Sequence, residues 1–123
     1  MNLIIGLLSF LFLDSIYLHF IKDYYGKQIK LIQGASMSVN MLAAAIVYIL
    51  IGIQWYVFIY KKINKTNMVE MVTKAFILGF TTYGIFDFTN LALFKDYTLK
   101  TALIDTIWGG ILYKLVTFIQ YLI

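Results

Sequence analysis

Residues 81–94 read TTYGIFDFTNLALF, and they close an apolar run that starts at Val69 and carries only Glu70, Lys74 and Asp87 as charges. At about 1.5 Å per residue, such a run is long enough as a helix to cross a hydrocarbon core roughly 30 Å thick. Three further runs of this kind occur, which places spans at residues 3–21, 37–59, 69–94 and 99–123. Composition agrees: 62% of the residues are hydrophobic and 13% charged, too few polar side chains to coat a soluble domain of this length. With no proline, no span has an evident kink, and with no cysteine there is neither disulfide nor thiolate chemistry.

The connections are short and lysine-bearing: KDYYGKQIKLIQGAS, YKKINKTN and KDYTLK. Links of this length force antiparallel neighbours. The expected fold is therefore an all-α membrane protein, an up-down-up-down bundle of four transmembrane helices, as one domain over residues 1–123. Tyr24, Tyr25, Trp55, Tyr56, Tyr60, Tyr97 and Tyr121 stand near the span ends, as interfacial belts require. The first span lacks a basic N-terminal region and contains Asp14, so it is read as a retained helix and not as a signal peptide.

Four crossings bring both ends of the chain to one side. The first and third connections carry Lys22, Lys27, Lys30, Lys95 and Lys100 against Lys61, Lys62 and Lys65 in the second, which favours both termini outside. Lys74 is expected to pair with Glu70, one turn earlier. Every basic residue is lysine and most lie in the connections, which suits lipid headgroups and not nucleic acid.

The acids inside the spans form the candidate site. Counted from the expected span ends, Asp14, Asp87 and Asp105 each lie roughly 9 to 11 Å below the same membrane surface. An aspartate facing lipid at a helix centre costs about 2.5 to 3.5 kcal/mol, so the three are expected to point inward together. Tyr83, Asp87, Asn90 and Phe94 share one helical stripe, as do Asp105, Trp108, Gly109 and Leu112. Asp14 neighbours Phe10, Tyr17 and Leu18, and Asn40 enters from the same side. The expected polar pocket is Asp14, Asp87, Asn90, Asp105, Tyr83, Trp108 and Asn40, with His19 near its mouth.

Two accounts of the pocket stay open. Neutral carboxylic acids can hydrogen-bond helices together. Alternatively a positive group sits among them, because three ionised carboxylates cannot share an apolar site alone. That group could be a divalent cation held by Asp14, Asp87 and Asp105, a lipid amine, a substrate cation or a transported proton. No cofactor is required by the sequence. Ala75 with Gly79, and Gly109 with Gly110, read as sites of close helix packing. No phosphate loop, nucleophile elbow or zinc helix motif is present.

These residues resemble the family known as domain of unknown function 2177, small predicted integral membrane proteins. The third span carries its YG-x-x-D-x-TN-x-A run as Tyr83, Gly84, Asp87, Thr89, Asn90 and Ala92. The fourth carries D-x-x-WG-x-x-L as Asp105, Trp108, Gly109 and Leu112, and the first pairs Asp14 with Tyr17 where the family usually has tryptophan. VYILIGIQWYVF, with Tyr48 and Gly52, is similar to the family's second helix, and LFKDY departs from its pattern after the third. The resemblance implies a bacterial context associated with membrane-lipid modification and names no activity.

Three functions fit. The expected one is a structural or binding component of a membrane, within an assembly such as a bacterial, organellar or viral membrane, with the buried aspartates near one face. The alternative is a lipid-active enzyme or a lipid- or cation-binding protein using the same cluster. A proton or cation pathway comes last, because a relay needs acids staggered across the bilayer and these share one level.

Overall fold

The computed structural model describes residues 1–123 and contains four long helices and no strand. They are α1 (Leu3–Gln33), α2 (Met41–Phe58), α3 (Met68–Leu93) and α4 (Leu99–Leu122), with a single 3-10 turn at Tyr60–Lys62. Each is long and apolar enough to cross a membrane. Side-chain oxygens cap three of the starts: Asn2 accepts from the Ile5 amide, Asn40 from Ala43 and Thr98 from Thr101.

The largest departure from expectation is in α1, which runs through the first connection to Gln33 instead of stopping near Ile21. Hydropathy falls at Lys22, but lysine, glutamine and leucine are good helix formers and no proline intervenes. The helix ends only at Gly34, whose φ of 72° closes it with an amide hydrogen bond to the Lys30 carbonyl. The extension is held from the side, since Gln28 Oε1 accepts from the Thr98 amide at 2.9 Å and from Thr101 Oγ1 at 3.0 Å. It therefore stands over the turn between α3 and α4. The chain then returns beside it, with Met37 against Gly26, and α2 starts at Met41, four residues later than the expected 37.

Contacts fix the antiparallel order. Phe10 meets Trp55 and Tyr113 edge-on at 5.6 and 5.2 Å, which sets α1 against both α2 and α4. Along α3 and α4, Gly79 faces the Gly109 carbonyl and Gly84 faces Thr106. An added Cβ at Gly79 would lie 2.1 Å from that oxygen, so the close approach of these two helices depends on the bare glycine.

Helix α4 is the centre of the bundle and holds more buried residues than any other helix, among them Thr106, Leu112, Tyr113, Val116 and Thr117. Helix α2 is peripheral and buries only Ile51 and Trp55. Trp55, expected at an interface, is instead fully buried: its ring covers Gly6 and its Nε1 donates to Thr117 Oγ1 at 3.0 Å. The indole finds its partner inside the bundle, which removes the reason for it to seek the headgroups. Tyr97 departs from the belt in the same way and is 2% exposed.

Helix α2 stands off α3 for most of its length. The two helices meet at one hydrogen bond, Gln54 Nε2 to Thr82 Oγ1 at 2.7 Å. A cleft opens above it.

Candidate functional site

Asp14, Asp87 and Asp105 are each gripped by an aromatic donor from another part of the chain. Asp14, on α1, accepts from the Tyr48 hydroxyl of α2 at one oxygen and from Trp108 Nε1 of α4 at the other, the latter at 3.0 Å. Asp105, on α4, accepts from the Tyr17 hydroxyl at 2.8 Å. Tyr17 also lies flat on Trp108, with ring centres 4.7 Å apart and planes 6° from parallel. The two rings thus tie the Asp14 and Asp105 levels together, about one helical turn or roughly 5 Å apart.

Asp87, on α3, is fully buried. Its Oδ1 accepts from the Tyr97 hydroxyl at 2.5 Å, and Tyr25 of the α1 extension packs edge-on against that ring at 6.4 Å. Burial pushes the Tyr97 hydroxyl up from its ordinary pKa, with the neighbouring Asp87 carboxyl acting in the same direction, so Tyr97 remains a donor. Asp87 Oδ2 has no hydrogen-bond partner, and neither does Thr106 Oγ1, also buried. Asp105 and Thr106 are the α4 groups that face the Asp87 carboxyl.

The remaining expected residues divide. Trp108 and Tyr83 join the cluster. Tyr83 crosses over Gly109, where an added Cβ would come within 2.3 Å of its ring, and meets Tyr113 edge-on at 6.5 Å. Asn90 lies half-buried one turn from Asp87, in a smaller pocket of about 360 Å³ with Tyr25, Ile29, Phe94 and Tyr97. Asn40 does not join, because it is exposed and its side chain is used in capping α2. His19 is exposed and packs edge-on against Phe20 at 5.4 Å. No three carboxylate or imidazole groups come together closely enough to hold a metal ion. Asp14, Asp87 and Asp105 share a polar layer without forming one coordination set.

Two features escaped the sequence reading. The first is the donor role of Tyr48 and Tyr97, whose partners Asp14 and Asp87 only the folded chain brings to them. The second is a lower polar layer, in which the Tyr113 hydroxyl donates to Gln54 Oε1 while Gln54 donates to Thr82.

The cleft between α2 and α3 joins the two layers. It has a volume of about 520 Å³ and is lined by Val47, Leu50, Ile51, Gln54, Thr82, Tyr83, Phe86 and Asp105. A second groove of about 430 Å³, between α1 and α2, has Tyr48 and Tyr56 as its only polar-tipped lining residues. Asp105 is the one buried-layer acid that reaches either groove.

No curated protein and no solved structure matches the chain. The model of one family, described as predicted membrane protein (DUF2177), matches residues 1–122, nearly the full length over which the four helices and the aspartate layer are built. The chain belongs to the DUF2177 family of predicted membrane proteins.

Proposed function

We propose that the protein is an intramembrane binding component that takes an amphiphilic, lipid-like molecule sideways from the bilayer into the α2–α3 cleft. The observation that carries this reading is the pairing of apolar walls, Val47, Leu50 and Phe86, with one partly open carboxyl at Asp105. Its volume of about 520 Å³ lies within the roughly 300–1,000 Å³ usual for small-molecule sites. Asp105 lies six residues into α4, about 9 Å from its start, so a polar head seated there stays close to the headgroup region.

Asp14 has a structural role instead. Asp14 has both oxygens occupied by donors from α2 and α4, and it serves as an internal tie. Orientation follows the lysines: five stand at the end with the α1 extension, against Lys61, Lys62, Lys65 and Lys74 toward the other, which makes the former the inner side and puts both termini outside.

The test is native mass spectrometry of protein extracted gently from its host membrane. A retained amphiphile should be lost from Leu50→Trp, which fills the cleft with apolar bulk, and kept by Ile107→Trp on the lipid-facing side of α4. Equal retention by both variants would sink the proposal.

A further inference from the structure

We infer that Asp87 and Asp105 hold one proton between them at the back of the cleft, with Asp105 carrying the remaining negative charge as the seat for an amine head. This deepens the proposed binding role and rests on it. The groups that face Asp87 are Tyr97 from the α3–α4 connection, Asp105 and Thr106 from α4, and Tyr17 and Tyr25 from α1. None is cationic, and α2 contains no charged residue at all. No lysine forms an ion pair with Asp14, Asp87 or Asp105.

Two neighbouring carboxylates without a counter-charge cannot both stay ionised in apolar surroundings, so the pair retains a proton. The geometry says which partner holds it. Asp87 is fully sealed, and its Oδ2 has no donor. An ionised oxygen there would lose its hydration with at most the Thr106 hydroxyl in return, whereas a protonated one becomes a donor toward Asp105. Asp105 already accepts from Tyr17 and borders the cleft, so the charge is better placed on it.

A lone negative charge beside Val47, Leu50 and Phe86 selects a cation that carries hydrocarbon. An alkyl-ammonium meets both demands. A bare metal ion does not, since no third carboxylate or imidazole completes a coordination set.

The experiment uses the full chain in detergent micelles, with dodecylamine and dodecanol as probes and binding read by calorimetry near neutral pH. Dodecylamine should bind about tenfold more tightly than dodecanol, the difference expected of a charge-assisted hydrogen bond. Asp105→Asn should erase that preference, whereas Asp87→Asn, whose amide imitates a neutral carboxyl, should retain it. Asp96→Asn, in an exposed turn, serves as control.

Equal affinity for the two probes, or loss of the preference in Asp87→Asn, would overturn the inference and leave the cleft reading standing. Displacement of dodecylamine by equimolar magnesium would also overturn it. Binding of neither probe, or binding of both undiminished in Leu50→Trp, would instead overturn the cleft reading itself.

Discussion

Asp14 shows what one residue contributes when both its oxygens are engaged. The Trp108 indole and the Tyr48 hydroxyl come from different helices, and Asp14 itself is 7% exposed. Replacement by leucine would leave an N–H and an O–H facing a dry interior, at a cost of about 1 to 3 kcal/mol for each unpaired group. Asp14→Asn keeps one acceptor for the indole, and the rotatable Tyr48 hydroxyl can accept from its amide, so that change should cost roughly 1 kcal/mol. Detergent-unfolding midpoints should therefore fall in the order parent, Asp14→Asn, Asp14→Leu, and a leucine variant as stable as the parent would mean that Asp14 ties nothing together. At this scale the acids were legible in the sequence, because an aspartate inside an apolar run is expensive unless it faces inward. Their donors were not. A tyrosine near a span end has the same local context whether its hydroxyl meets a headgroup, as an interfacial residue does, or a buried carboxyl, as Tyr97 does.

Among the elements, the α3–α4 pair is set by which glycines touch backbone. A Cβ at Gly79 would sit 2.1 Å from the Gly109 carbonyl, and only separation of the helices relieves that contact. Gly79→Ala should thus cost about 1 to 3 kcal/mol through overpacking, outweighing the helix-propensity gain of roughly 1 kcal/mol. Gly84→Ala is the contrasting case. Its Cβ would meet the Thr106 methyl at 3.3 Å, a contact that a small shift relieves, so the propensity gain should leave stability unchanged or raised. Thermal melts of the two variants check the ranking, and equal loss in both would show that the helices are not held at van der Waals contact along Gly79. The sequence announced this pair, because Ala75, Gly79, Gly109 and Gly110 are small residues at helical spacing in apolar runs. It concealed the length of α1. Hydropathy measures where a chain prefers lipid, whereas helix continuation depends on backbone propensity and on contacts such as Gln28 with Thr98, which residue order does not reveal.

For the whole molecule, the side on which the cleft's carboxyl lies follows from charge placement. All four helix ends nearest the aspartate layer, the C-termini of α1 and α3 and the N-termini of α2 and α4, face one way, and that end carries Lys22, Lys27, Lys30, Lys95 and Lys100. The opposite end offers Lys61, Lys62, Lys65 and Lys74. Lysines near span ends bias insertion so that the richer end stays inside, and aspartates and glutamates weigh little in that bias. Asp105 would then stand in the inner leaflet, and inner-leaflet amphiphiles would be the pool open to the proposed binding cleft. The absence of native cysteine makes the orientation directly measurable. Ala35→Cys, just past the α1 extension, should resist a membrane-impermeant maleimide in intact cells and react after permeabilisation. Lys65→Cys, in the connection between α2 and α3, should react without permeabilisation. The reverse pattern would place the lysine-rich end outside and assign the cleft to the outer leaflet. It would also show that a difference of five lysines to four is too small to set the orientation of this bundle against the hydrophobic pull of its four spans.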